Sequence, residues 1–276
     1  MSDPSEFQTH IRPHRPGLLP DVAELWRYRD LLLLLVWRDI STKYRQSFLG
    51  VAWAVFRPIF SALIFTLVFS VFLKQKTAIP YPLYAFAGLI PWMYFSTSLG
   101  NITNSVQQSA NVLTKVYFPR MILPIAAICT PMVEVFIQLI ITAVLIVVYQ
   151  QPITPGLLLL TLFVLLAGIT AFAFGIWLTA LNVRYRDVGV SVPFILQMLM
   201  YLCPIMYKID VVPEHLRWIY SLNPMVGIIE GFRWALFGLE QPHWQSMFIS
   251  MGVVSVMLVS GLVFFRRVEN TFADII

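Results

Sequence analysis

The chain has 276 residues, 58% of them hydrophobic and only 12% charged, with a mean hydropathy of +0.76. Soluble domains carry about 25% charged residues, so much of the usual solvating surface is missing and the composition indicates an integral membrane protein. The formal charge of +5 would suit nucleic acid, but the Lys and Arg residues sit beside apolar runs, as in the inward loops of membrane proteins. No basic patch is interleaved with base-stacking aromatics, so no nucleic-acid partner is expected.

Residues 1–20, with Pro4, Pro13, Pro16 and Pro20, read as a flexible cytoplasmic tail. Residues 21–50 read as an amphipathic interface helix region. Leu33, Trp37, Ile40, Tyr44 and Phe48 recur at helical steps, while Arg38, Asp39, Ser41, Thr42, Lys43, Arg45 and Gln46 take the other face. Such a helix lies along membrane lipids or against a partner rather than crossing. After the Leu49-Gly50 break the chain dives into the bilayer, and Ile59–Leu73 holds no charge.

Residues 51–276 read as an all-α transmembrane domain of six spans, at about 52–73, 83–99, 121–149, 157–181, 190–206 and 246–265. Each provides roughly the 20 residues a bilayer crossing needs, and uninterrupted apolar runs favour helices over alternating barrel strands. Pro124 and Pro131 are expected to kink the first half of span three. Placing both termini in the cytoplasm puts most Lys and Arg inside. Residues 207–244 then face outward. Their second half is apolar but carries Glu230 and Arg233, three apart on one helix, and is too short and too charged to cross. A re-entrant helical hairpin before the last span fits this pattern.

Catalytic patterns are missing. No glycine is followed by lysine, so the chain has no phosphate-cradling loop for ATP. His10, His14, His215 and His243 lie in tails and loops without ligand spacing, and Cys129 and Cys203 sit singly in apolar runs, so no metal site and no disulfide are indicated. Ion-coupled carriers place several ionisable groups in mid-membrane. Here Glu134 in span three and Arg57 near the inner end of span one are the clear cases, and similar depth makes them a candidate structural pair. Arg57 could equally snorkel to the interface. Phe56 and Phe60 stripe span one, Trp92, Tyr94 and Phe95 cluster in span two, and Phe194 and Tyr201 share a face of span five. These rings either pack against lipid or line a conduit in which they stack on sugar faces. With no energy source in the chain, residues 111–120, which include Val112, Leu113, Lys115, Tyr117, Phe118 and Arg120, read as a docking site for a separate ATPase.

Tyr28-Arg29-Asp30-Leu31, Trp37-Arg38-Asp39, Lys43-Tyr44-Arg45-Gln46-Ser47-Phe48-Leu49-Gly50, Trp53 and Pro58 resemble the N-terminal signature of polysaccharide and polyol-phosphate export permeases of the ABC-2 type. Lys115-Val116-Tyr117-Phe118-Pro119-Arg120, Asn182-Val183-Arg184-Tyr185-Arg186-Asp187, Leu222-Asn223-Pro224 and Thr271-Phe272-Ala273-Asp274 extend the resemblance over nearly the whole chain after about residue 25. It implies a homodimer working with two copies of a nucleotide-binding ATPase. ATP and Mg would sit on that partner, with no cofactor in this chain. The implied cargo is a lipid-linked glycan: O-antigen on undecaprenyl pyrophosphate, teichoic acid or a capsular chain. By position, Arg38, Lys43, Tyr44, Arg45, Leu49, Gly50 and Arg57 would form the substrate entrance, where fixed cations hold a pyrophosphate or attract anionic lipid. Residues 111–120 would be the coupling loop and 207–244 the outer re-entrant helices. An ABC-2 exporter of a drug or small lipid, or an ion-coupled carrier, are the competing readings.

Overall fold

The computed structural model describes residues 22–45, 50, 52–75, 77–113, 116–152, 154–239, 242–269 and 272. The tail at 1–20 lies outside them, as do Leu49 and Lys115. Every described element is helical. Four helices are long and apolar enough to cross a membrane: Ala52–Phe72, Ile122–Val148, Pro155–Arg184 and Trp244–Val268.

A short helix α1 (Val22–Arg27) turns at Tyr28 into α2 (Arg29–Arg45). Leu32 and Leu35 of α2 pack inward with Phe118, Ile122 and Phe265, whereas Leu33 and Trp37 stay exposed. The stripe legible in the sequence is therefore split: its first half, Leu33 and Trp37, is exposed, Ile40 and Tyr44 are half-buried, Phe48 lies outside the described residues, and Leu31, Leu32 and Leu35 do the packing. Gly50 then turns with φ +47°, a left-handed backbone that costs glycine nothing.

Helix α3 (Ala52–Phe65) runs on as seven residues of π-helix, Thr66–Phe72, closed by the Leu73 N–H donating to the Val68 carbonyl. Helix α4 (Tyr81–Gln108) has 28 residues and spans about 42 Å. It starts where Pro80 and Pro82 forbid an earlier one. Mixed in composition, it is nonetheless the centre of the molecule: α3, α6 (Ile122–Cys129), α7 (Met132–Val148), α8 (Leu160–Arg184), α9 (Asp187–Tyr201) and α11 (Pro224–Phe237) all pack on it. The four-residue α5 (Ala110–Leu113) follows α4.

Helix α8 carries Ala167, Gly168, Ala171, Ala173 and Gly175, a small-residue surface that lets α4 come close, as bilayer helices require when lipid supplies no hydrophobic drive. A methyl on Gly175 would stand 2.5 Å from Ile102. Asn182 is fully buried at the far end of this contact. Its amide donates to the Thr103 carbonyl at 3.0 Å and its oxygen accepts from the Gly189 N–H at 2.8 Å, joining α4, α8 and α9. The Asn182–Asp187 motif is thus a three-helix joint.

Span three is interrupted at Thr130 and Pro131, where a kink was expected, although the backbone of both residues stays right-handed helical. Helix α6 ends at Cys129 and α7 begins at Met132, with Pro131 between them lacking the N–H that would continue the ladder. Helix α9 has 15 residues and stops at Tyr201, short of the expected 206. After it come α10 (Glu214–Tyr220), α11 and α12 (Trp244–Val268). Helix α11 is bounded by strong signals. Asn223 caps its first turn by accepting from the Met225 N–H at 3.1 Å, Pro224 opens it, and Gly238 ends it at φ +61°. It is buried among α4, α8 and α12, while α10 leaves Trp218 and Ile219 exposed.

Candidate functional site

Two polar cavities flank α2. One, about 410 Å³, lies between α2, α4 and α6 and is lined by Arg38, Asp39, Thr42, Lys43, Asn101, Ser105 and Thr130. Arg38 is neutralised there by Asp39 at 2.8 Å. Arg45 lies beyond, in a shallow groove with Trp37 and Ser41. The other cavity, about 190 Å³, is an open cleft between α2, α3, α4 and α7 lined by Lys43, Tyr44, Gly50, Trp53, Arg57, Met93, Glu134 and Gln138.

Inside the smaller cavity Glu134 forms an ion pair with Lys43 and accepts from the Tyr44 hydroxyl at 3.2 Å. Burial, then the adjacent Glu134 charge and its hydrogen bond, push the Tyr44 phenol up to about 12, so it stays a donor at physiological pH. The expected Arg57–Glu134 pair does not form; Glu134 is given to Lys43 instead. The reason is that α2 folds back across the start of α7, bringing Lys43 from 91 positions away into contact. Arg57 lines the same cavity, exposed and without an ion pair among the described residues. The structure thus gathers Lys43, Tyr44, Gly50 and Arg57 at one cavity, places Arg38 and Arg45 beside it, and adds Gln138, which periodicity did not single out.

The aromatics divide. Phe56, Phe60, Phe194 and Tyr201 are exposed, and Phe56 and Phe60 sit 6.1 Å apart between ring centroids. Trp92, Tyr94 and Phe95 are buried in the core and cannot line a conduit. Their clustering in a semi-polar span suggested a channel wall, but α4 is surrounded on all sides, so its rings are packing groups.

At the 111–120 loop, Phe118 is 3% exposed and anchors the segment, while neighbouring Tyr117 is 82% exposed. Val112 and Leu113 pack partly against the same cluster as Phe118. Arg120 lies over the Phe272 ring at 5.9 Å, and Phe272 meets Phe265 edge-on at 5.3 Å. Phe272 therefore props this loop, a contact no local pattern could announce.

At the opposite end, Arg233 is buried and surrounded by acceptors rather than by a carboxylate. It donates to the Tyr84 carbonyl at 3.2 Å, the Tyr84 hydroxyl at 3.0 Å, and the carbonyls of Pro204 and Ile205. Its guanidinium also lies 3.7 Å over the Tyr84 ring. Glu230, one turn earlier, faces His243 at 3.7 Å in a cavity of about 300 Å³ that Tyr84 and Arg233 also line. The two charges share this cavity but form no direct ion pair among the described residues.

Residues 30–237 match the family described as ABC-2 type transporter. The chain is 30% identical over 256 residues to the O-antigen export system permease protein RfbA of Myxococcus xanthus, covering 92% of this chain and 98% of that protein. Two proteins of the same description from Klebsiella pneumoniae are 29% and 27% identical over 251 and 249 residues. Apolar helices long enough to span a bilayer, no nucleotide-binding loop and a match over most of the length agree with one another: the chain belongs to the ABC-2 type transporter family, as a membrane permease subunit whose ATPase is a separate partner.

Proposed function

We propose that this chain is half of the export channel for a lipid-linked polysaccharide, O-antigen on undecaprenyl diphosphate, carried outward across the bacterial inner membrane. Two copies assemble with two copies of an ATPase that binds ATP and Mg. Six crossings are made by the four long apolar helices together with α4 and α9. Helices α10 and α11 re-enter from the outer side, and both termini are cytoplasmic. The identity with an O-antigen permease along nearly all of that protein's length is the observation that carries this reading.

The α2 end supports it chemically. Lys43, paired with Glu134, and Arg57, without an ion pair among the described residues, line a cavity at the foot of α3 and α7, where Arg57 can hold a diphosphate while its lipid tail stays in the bilayer. Fixed cations near a low-dielectric wall attract such a group far more strongly than in open water. The exposed rings of Phe56, Phe60, Phe194 and Tyr201 are free to face a second copy and form the conduit, where stacking on sugar rings is tolerant of sequence and permits sliding. Tyr117, held out by the buried Phe118, is the knob that enters the ATPase.

Purification of the native complex followed by mass spectrometry of its lipids tests the reading. A polyprenyl-diphosphate glycan co-purifying with permease and ATPase in equal numbers is the expected result. Recovery of a simple lipid or drug-like molecule, or transport by the permease without any ATPase, would overturn it.

A further inference from the structure

Helices α8 and α12 run parallel: the Trp177 ring stacks on Phe264 at 4.4 Å, and Gly261 lies against Ala173. Nearer their starts a cleft of about 200 Å³ opens between them, with α11 at its back. Phe163, Thr170, Gly227, Ile228 and Ser250 form its buried floor, and Ile169, Met251 and Ser255, all exposed, stand at its mouth. The mouth lies about 10–14 Å in from Leu160 and Trp244, the first residues of α8 and α12. In a bilayer with about 30 Å of hydrocarbon, that depth is below the head groups.

The walls ask for no water. No charged side chain lines the cleft among the described residues, and each hydroxyl proton is already given to the backbone. Thr170 donates to the Leu166 carbonyl at 2.7 Å, Ser250 to the Ser221 carbonyl at 2.9 Å, and Ser255 to the Met251 carbonyl at 2.8 Å. A buried water needs about two to four polar partners, whereas an apolar cavity of about 150 Å³ stays dry and takes up benzene. Gly227 is an independent sign. A glycine inside a helix weakens it relative to alanine and is expected where a side chain has no room. Gly231, one turn on, is such a case, since a Cβ there would stand 2.1 Å from the Phe163 ring. A Cβ on Gly227 would meet nothing nearer than the Met247 Cα at 3.4 Å, an ordinary contact. Packing within the protein does not demand glycine at 227; the missing side chain deepens the cleft instead. Bilayer helices are held together largely by van der Waals contact, and a void where three of them meet forfeits that contact unless hydrocarbon fills it.

We propose that this cleft is a lipid site, taking one acyl chain of a phospholipid from the leaflet nearest the starts of α8 and α12 and so wedging α11 against both spans. The chain enters sideways through the mouth while its head group stays at the bilayer surface. The polyprenyl tail of the cargo is the other hydrocarbon at hand. Its diphosphate belongs to the α2 end, which packs near Phe265 at the far end of α12. The choice of phospholipid over cargo tail rests on the export reading above.

The test places the permease–ATPase complex in nanodiscs of phosphatidylethanolamine and phosphatidylglycerol, doped with a phosphatidylethanolamine carrying a diazirine midway along one acyl chain. After irradiation the labelled peptides are mapped by mass spectrometry. Labelling of 163–170 and 247–255 is expected to exceed by several-fold that of the exposed α7 residues Ile140, Val144 and Val147. Gly227→Leu, which fills the cleft, is expected to bring it down to the α7 level and leave α7 labelling unchanged. Gly227→Ala, whose methyl has room, keeps the fold and should lower cleft labelling partway. Wild-type labelling no higher than on α7, or labelling untouched by both substitutions, overturns the site. A polyprenyl diphosphate with a diazirine in its tail, supplied at the same amount, is expected to label the cleft less than the phospholipid does. Preferential labelling by that probe overturns the phospholipid assignment and leaves the export reading standing.

Discussion

The two ends of the molecule hold their cations in opposite ways. At the α11 end, Arg233 satisfies its donors internally, on one hydroxyl and three backbone carbonyls drawn from α4 and the 204–205 turn. At the α2 end, Lys43 and Glu134 share a partly exposed pair and Arg57 stands exposed without an ion pair among the described residues. Internally satisfied networks rigidify. Groups left with spare capacity are those that can still take a ligand. The comparison separates a fastening from a binding site, although both contain a cation and a nearby glutamate.

Breaking the fastening is expected to have the largest effect. Arg233→Ala strips the donors from the Tyr84, Pro204 and Ile205 carbonyls, each costing roughly 1–3 kcal/mol if it stays buried and bare. Loss of the folded complex on detergent extraction, read by size exclusion and thermal melting, is the expected outcome. Gly88→Ala attacks the same network from α4, since the added methyl would stand 2.5 Å from the guanidinium. A destabilisation of about 1–3 kcal/mol, smaller than that of Arg233→Ala, is expected in the same melting assay.

Changes at the α2 end should move function and spare stability. Lys43→Met breaks a pair whose lysine is substantially exposed, and such pairs contribute about 0–1 kcal/mol. Its melting temperature should stay near the wild type while export falls several-fold, measured by the appearance of polymer outside the inner membrane. Tyr117→Ala removes an exposed ring that packs on nothing essential, so the permease should fold normally but lose transport-coupled ATP hydrolysis in the reconstituted complex.

The smallest effect concerns pH. Burial raises the Glu230 carboxyl above its ordinary value, with Asp210 adding to the rise and His243 and Arg233 drawing it back. The folded state therefore holds this proton more tightly than the unfolded chain. That contribution to stability is complete below the ordinary carboxylate pKa and is lost as pH rises through the raised value. Glu230→Gln is expected to flatten this part of the melting-temperature profile, while Gln138 substitutions leave it unchanged.

Much of the architecture was legible along the chain. The first, third, fourth and last apolar runs sit close to the long helices Ala52–Phe72, Ile122–Val148, Pro155–Arg184 and Trp244–Val268, because hydropathy over such lengths is a local property. Asn223-Pro224 marked a real helix start for equally local reasons: a side-chain cap and a proline at a position where no N–H is needed. Candidate cations at the α2 end, Lys43 and Arg57, could be named because charge beside a bilayer is conspicuous in a chain so poor in it.

The amino-acid sequence by itself determined that this is a multi-helix membrane chain with a basic amphipathic segment ahead of its first span and no Gly-Lys phosphate loop. Those properties follow from composition, period and motif, which need no knowledge of neighbours. Only the tertiary structure decided that Glu134 meets Lys43 rather than Arg57, and that Trp92, Tyr94 and Phe95 are core. Each depends on how a helix is rotated about its axis and on what packs against it from distant parts of the chain, and helical period alone carries no information about either.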